Sequence, residues 1–321
     1  MSTTAPLPLR TRIFARALKV IARPVATGDE MIALRDKRAR LLTSRVGSVV
    51  TGRDEPGVSV RDITVDLGGV TSRLRVHIPP GLDGLAPVVV NYHGGGWCIG
   101  SPEQSRWATS RVAARVGAVV VSPTYRLAPE HPFPAAPDDA WAVLRWVHEH
   151  AAEFGGDPER IAVMGDSAGG NLAAVAALQA RDAGDLPVAA QVLVYPAVDA
   201  YEKWPSEAEN ADAPLLNAEL MSTFIHLYLA DGYGDQDWRH SPLKAASHAD
   251  LPPALILTAG HDPIRDHGTH YAEALRATGV PVELREHPDA IHGFMSLPGA
   301  VPAATAGLTE IVSFLKQRFE V

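Results

Sequence analysis

The sequence holds a single cysteine, Cys98, among 321 residues. An intrachain disulfide is excluded, and so is a zinc site built on several cysteines. Long apolar runs free of glycine, proline and charge are also missing, so no segment reads as a membrane span. Near the start, Arg10, Arg12, Arg16, Lys19 and Arg23 interrupt every apolar stretch, and no signal-peptide core fits between them. Internal repeats, low-complexity tracts and a domain linker are absent too. These absences point to a cytoplasmic globular protein, long enough for one large α/β domain with a sizeable core.

Charge is present but uneven. The net charge is −8, yet residues 1–45 carry ten Lys/Arg against three Asp/Glu, which leaves −15 for the remainder. No aromatic-basic interleaving accompanies the basic end, so nucleic acid is not an expected partner. The bland reading, a solvated helical face, is preferred over peripheral contact with a membrane surface. Residues 8–22 place Ile13, Phe14, Ala17, Leu18 and Ile21 on one helical face, and Asp29–Leu42 is a second helix candidate.

Further on, Val58–Asp66 and Ser72–Ile78 alternate apolar and polar residues around Gly68-Gly69, the pattern of an antiparallel pair at a sheet edge. Continuous apolar strands then alternate with helical stretches: Pro87–Asn91, Ala118–Ser122, Arg160–Met164, Val188–Tyr195, Ala254–Ala259 and Val282–Glu286. Repeated β–α units imply a mostly parallel sheet covered by helices on both faces. Residues 199–241 break the rhythm, with one helical stretch at Asn217–Leu229 and no strand. An excursion of that length is expected to cover an active site.

The most informative stretch is Gly165-Asp166-Ser167-Ala168-Gly169-Gly170, between an apolar strand and a helical run. A strand, a tight glycine turn with serine at its apex and a helix make a nucleophile elbow. The motif alone is weak, since chance supplies a G-x-S-x-G in about one of ten such chains. A second loop, His93-Gly94-Gly95-Gly96-Trp97, is more specific. Its glycines let the backbone approach a ligand and present bare N–H donors to a developing oxyanion. A dinucleotide fingerprint fits it poorly: Gly94, Gly96 and Gly100 miss the G-x-G-x-x-G spacing by one, and Val119–Val121 stands where an acidic residue is required.

A serine nucleophile needs a base and a carboxylate to orient that base. Sites on parallel sheets lie beyond the carboxyl ends of strands. Asp262 follows Ala254–Ala259 closely, and His292 follows Val282–Glu286 after a loop of Pro, Asp and Ala. Ser167, Asp262 and His292 stand in the chain order of an α/β-hydrolase. His287 is the competing base but continues its strand directly; Asp266 is the competing carboxylate but belongs to the next helix.

Together, His93–Trp97, the elbow with Asp166 and Ala168, Tyr125–Glu130 (Tyr-Arg-Leu-Ala-Pro-Glu), Asp262–Asp266 (Asp-Pro-Ile-Arg-Asp) and His292-Gly293-Phe294 resemble the bacterial hormone-sensitive-lipase family of esterases, from about residue 58 onward. The resemblance implies an α/β-hydrolase fold, Ser167 as nucleophile, His292 as base then acid, and Asp262 as its orienter. It implies an oxyanion hole of the Gly95, Gly96 and Ala168 N–H groups, supported by His93 and Gly94. It also implies a helical cap from about residues 1–45 plus 199–241. No metal or organic cofactor is called for.

The chain departs from the family at Gly260-His261 and His267, so that His261, Asp262, Asp266, His267 and His270 form a dense cluster. A solvated helix face is preferred there over a metal site. Asp166 is expected to support the elbow, Arg126 and Glu130 to join a buried polar network, and Cys98 to be a small buried hydrophobe.

The expected activity is hydrolysis of small carboxylic esters of short to medium acyl length. Trp97, Tyr195, Trp204, Phe224, Leu227 and Tyr228 are the pocket candidates. A lipase for long chains is the alternative, and a non-catalytic receptor on the same fold is the lesser one, because such receptors lack a triad residue. A trypsin-like protease shares the Gly-Asp-Ser-Ala-Gly-Gly run but places it late in an all-β fold. Oligomeric state is open: an oligomer is compatible with everything above.

Overall fold

A computed structural model of the chain describes residues 4–21, 25–42, 44, 47–230 and 237–321. Its centre is an eight-stranded sheet: β1 (Ser59–Asp66), β2 (Thr71–Ile78), β3 (Ala86–Tyr92), β4 (Val119–Pro123), β5 (Gly156–Asp166), β6 (Val188–Val194), β7 (Ala254–His261) and β8 (Val282–Ile291). The order across the sheet is β1-β2-β4-β3-β5-β6-β7-β8. The β1–β2 and β2–β4 pairs are antiparallel, and every other pair is parallel. The edge hairpin and the parallel remainder are the arrangement expected from the alternating and continuous apolar runs.

The continuous runs are explained by burial on both sides. Val88 and Val90 of β3 enter one core and Val89 enters the other, so each side chain of the strand leaves water whichever face it takes. On one face lie α5 (Ala135–His150), α6 (Ala168–Ala183) and α9 (Arg265–Ala277); on the other lie α4 (Arg106–Val112) and α10 (Ala303–Phe319). In α10, Leu308, Ile311, Phe314 and Leu315 are buried, each contributing roughly 1.5–3 kcal/mol on removal from water. Helix α6 is the most enclosed of the described helices, its alanines and glycines letting it sit close against β5 and β6.

Before the sheet come α1 (Leu9–Ile21), α2 (Gly28–Leu42) and the short α3 (Gly47–Thr51). Thr27 and Glu30 cap α2 reciprocally: the Glu30 N–H donates to Thr27 Oγ1, while Glu30 Oε2 accepts the Ala26 and Thr27 N–H groups. The expected apolar face of α1 is only partly realised. Phe14 and Leu18 are half-buried, but Ile13 is 59% exposed. The buried contacts come instead from Ala15 and from Thr11, whose hydroxyl donates to the Ala300 carbonyl at 3.0 Å. Further out, the Ala5 N–H donates to the Pro288 carbonyl (2.9 Å) and the Ala5 carbonyl meets His261 Nε2 (2.8 Å), lacing this segment to β7 and β8.

Between β6 and β7 the chain leaves the sheet and forms α7 (Pro205–Glu209) and α8 (Ala218–Leu229). The Asn217 side chain caps α8 by accepting the Leu220 N–H. Thr223 Oγ1 donates to the Val25 carbonyl, so the insertion meets the N-terminal helices. Of the two segments expected to form a cap, residues 1–3, 22–24, 43, 45 and 231–236 lie outside the described residues. No helix among the described residues is long and apolar enough to cross a membrane.

Candidate active site

Ser167 sits at the turn from β5 into α6 with φ 57° and ψ −118°, a strained conformation for a non-glycine residue. Close packing enforces it. The Ser167 N–H donates to the Val194 carbonyl (2.9 Å), and the Ala197 N–H donates to the Ser167 carbonyl (3.2 Å). A Cβ at Gly165 would strike the Gly169 carbonyl, so β5 and α6 can cross this tightly only with glycine between them.

His292 Nε2 lies 2.9 Å from Ser167 Oγ, and its Nδ1 lies 2.7 Å from Asp262 Oδ2. Asp262 is completely buried, and its Oδ1 accepts the Ile264 N–H at 2.9 Å, which fixes the carboxylate plane. Because the acid accepts at Nδ1, that nitrogen carries the proton and Nε2 faces the serine as a proton acceptor. The three candidates are thus joined in one chain of hydrogen bonds.

The route to His292 differs from expectation. The sequence suggests a loop after Glu286, yet β8 continues through Ile291, with a register shift between the Ala259 and His261 pairings. The turn comes only at Gly293, with φ 75°. His287 remains on the strand and pairs with Glu310 at 3.0 Å, away from Ser167.

The N–H groups of Gly95 and Gly96 have no acceptor among the described residues, and Ala168 opens α6, where the first N–H groups are free of intrahelical partners. All three residues line the same cavity as Ser167 and His292. Gly95 and Gly96 have φ of 126° and 58°, which favour glycine. His93 holds the base of the loop: its ring stacks on Tyr125 (centroids 4.3 Å), whose hydroxyl donates to the His93 carbonyl at 2.8 Å. Burial pushes His93 down to about 4, so it is a neutral donor to the Gly94 carbonyl.

Asp166 supports both loops, accepting the Gly94 N–H at 3.0 Å. Burial raises its carboxyl to about 6, with the Gly94 bond opposing. Cys98 is buried behind the glycine loop, and burial pushes its thiol up to about 12, so it stays protonated at neutral pH.

The cavity measures about 580 Å³. Of the pocket candidates, Trp97 and Phe224 line it; the other four do not. Tyr195 is buried beside His292, 4.8 Å ring to ring. Tyr228 stacks behind Trp97 at 4.3 Å, and Trp204 stacks on His270 at 3.9 Å, outside the cavity. Leu227 packs at the margin of the core. The apolar walls come instead from Phe14 and Leu18 of α1, Leu41 of α2, and Leu216, Met221 and Ile225 of the insertion.

The His/Asp cluster disperses. His261 bonds the Ala5 carbonyl, Asp266 accepts the Ser206 N–H, His270 pairs with Glu273, and buried His267 accepts the Val198 N–H at Nδ1. Burial lowers His267 to about 4. Among the described residues no group of three or more His, Cys, Asp or Glu converges as metal ligands would. Arg126 and Glu130 share no network: Arg126 pairs with buried Asp139, while Glu130, 41% exposed, pairs with Arg35.

Two contributors carry no sequence signature. Asn210 donates to the Asp262 carbonyl (3.2 Å), and Ser206 Oγ donates to the Pro263 carbonyl (2.8 Å), so the insertion braces the loop that carries Asp262. Both lie in a region without periodicity or motif.

Comparison with known proteins shows the family. A family model described as alpha/beta hydrolase fold matches residues 89–296. Carboxylesterase NlhH of Mycobacterium tuberculosis is 46% identical over 267 residues, covering 82% of this chain and 83% of that protein. Ethyl acetate hydrolase of Pseudomonas putida is 34% identical over 291 residues, covering 89% and 92%. A hyperthermophilic esterase from the archaeon Pyrobaculum calidifontis superposes with a TM-score of 0.85 at 36% identity, covering 98% of this chain and 99% of that one.

Proposed function

The chain belongs to the alpha/beta-hydrolase family, among its hormone-sensitive-lipase-like bacterial carboxylesterases, and from that premise we propose which residues carry its chemistry and which esters it takes. It is a carboxylic-ester hydrolase. Ser167 is the nucleophile, His292 the general base and then acid, and Asp262 the group that holds the imidazole. The observation that carries this assignment is the pair of hydrogen bonds at His292, 2.9 Å to Ser167 Oγ and 2.7 Å to Asp262 Oδ2.

The reaction runs in two halves. Ser167 Oγ attacks the ester carbonyl carbon as its proton passes to His292 Nε2. The oxyanion forms against the Gly95, Gly96 and Ala168 N–H groups, each such donor being worth roughly 10²–10³ in rate. Collapse expels the alcohol, whose oxygen takes the proton from His292, and leaves an acyl-enzyme. Water then gives a proton to His292 and attacks the acyl carbon, and the acid departs as Ser167 regains its proton. Asp262 keeps its charge throughout and stabilises the imidazolium.

The substrates are small esters of short to medium acyl length. A cavity of about 580 Å³ between the glycine loop, the N-terminal helices and the insertion supports this reading, since that size suits small-molecule ligands. Helices α1, α2 and the insertion act as the cap. The relative from Pseudomonas putida bears the name ethyl acetate hydrolase. Ser167→Ala, assayed on p-nitrophenyl butyrate, is expected to lose turnover while keeping its fold; retained turnover defeats the assignment. A p-nitrophenyl ester series is expected to peak at short to medium chains, and a maximum with long-chain triglyceride points to a lipase instead.

A further inference from the structure

The cavity has a feature that plain alkyl esters leave unused. Two arginines of α2, Arg35 and Arg38, line it, and at three residues apart they share one helix face. Arg35 is matched, its Nη2 lying 2.6 Å from Glu130. Arg38 pairs with no carboxylate among the described residues. Burial holds its guanidinium below the ordinary arginine value with no opposing contribution from a neighbouring charge. The Arg38 side chain is half-buried and lines the cavity.

The two carboxylates that also line the cavity are committed elsewhere. Asp166 accepts the Gly94 N–H, and Asp199 accepts the Tyr201 and Glu202 N–H groups and lies 3.8 Å from Lys244. Apolar neighbours such as Leu41 and Leu42 offer Arg38 no hydrogen bond. A guanidinium at the wall of a largely apolar cavity, with no carboxylate of its own, offers its fork of donors to a carboxylate that enters there.

Resting on the reading that Ser167 is the nucleophile of this cavity, we propose that Arg38 selects esters carrying a free carboxylate remote from the scissile bond. Two sources present such a group: a half-ester of a dicarboxylic acid carries it on the acyl side, and an ester of a hydroxy acid carries it on the alcohol side. Arg38 is thus a specificity-determining residue that binds the far end of the substrate and takes no part in bond breaking.

The test compares kcat/KM within two matched pairs, p-nitrophenyl hemiglutarate against p-nitrophenyl pentanoate for the acyl side and 4-acetoxybenzoate against phenyl acetate for the alcohol side. In at least one pair the ratio of charged to neutral ester should fall about tenfold or more in Arg38→Gln, with Arg38→Lys retaining part of it. In the wild-type protein added salt should lower the same ratio, an arm that needs no variant to fold. Ratios that are salt-independent, or equal in wild type and Arg38→Gln for both pairs, overturn the proposal while leaving ester hydrolysis intact. Failure of the wild-type protein to cleave any of the four esters removes the underlying active-site reading, and this proposal with it.

Discussion

Replacing Gly94 by alanine adds one methyl group between the glycine loop and the elbow. Built on the present backbone, that Cβ would stand 2.5 Å from Asp166 Oδ2 and 2.7 Å from the Asp166 carbonyl oxygen. Ordinary contact begins at 3.4 Å, so one of the two loops must give way by roughly 0.7 Å at the carbonyl and 0.9 Å at the carboxylate. The carbonyl belongs to the residue that precedes Ser167, and the elbow is pinned by Val194 and Ala197, so the glycine loop is the part that moves. A displacement near 1 Å costs about 10²-fold in rate, or about 2.7 kcal/mol of transition-state stabilisation. The expected result is a kcat about 10²-fold lower on p-nitrophenyl acetate with KM within a few fold, because the oxyanion exists only after attack. Gly68→Ala is the control. Gly68 has φ +80° in the β1–β2 turn with nothing within 4 Å, so alanine there costs about 1–2 kcal/mol of backbone strain and no activity. A folded Gly94→Ala protein whose kcat stays within about threefold of wild type refutes the assignment of this loop.

Two further predictions concern the groups around the elbow. Asp262→Asn should lower kcat about 10⁴-fold by favouring the wrong imidazole tautomer; His287→Ala should fall far short of His292→Ala in its effect, and equal losses would return the base to an open question. Asp166, raised from 3.8 to about 6, holds its proton more tightly in the folded chain than in the unfolded one. It therefore costs no stability below pH 3.8, an increasing amount between 3.8 and about 6, and roughly 3 kcal/mol above that. Asp166→Asn, which keeps an acceptor for the Gly94 N–H, should raise Tm at pH 8 and show little gain near pH 4; a Tm difference independent of pH would count against the buried-charge account.

The parts of this site that were legible beforehand are those made by local backbone. The elbow and the glycine loop need glycine at fixed offsets, and such demands leave motifs. Asp262 and His292 were legible for a related reason, since the sheet delivers the ends of β7 and β8 to the same edge as β5. What escaped depends on tertiary packing. Tyr195, Tyr228 and Trp204 share the composition of pocket-lining aromatics, yet Tyr228 was drawn behind Trp97 and Trp204 onto His270. Asn210 and Ser206 are unremarkable in sequence because their partners are backbone carbonyls, which any residue supplies. The extension of β8 to Ile291 likewise reflects pairing with β7 across a shifted register, a long-range reward that outweighed the local turn signal of Pro288 and Asp289.

The lacing of Ala5 to Pro288 and His261 spans up to 283 residues of chain. During synthesis at roughly 5–20 residues per second, the segment around Ala5 waits about 15–60 s for its partner on β8 to be made. The serine elbow is complete long before that, but the strand that delivers His292 and anchors this segment comes last. Until β8 is made, Ser167 therefore stands without the hydrogen bond from its Oγ to His292 Nε2.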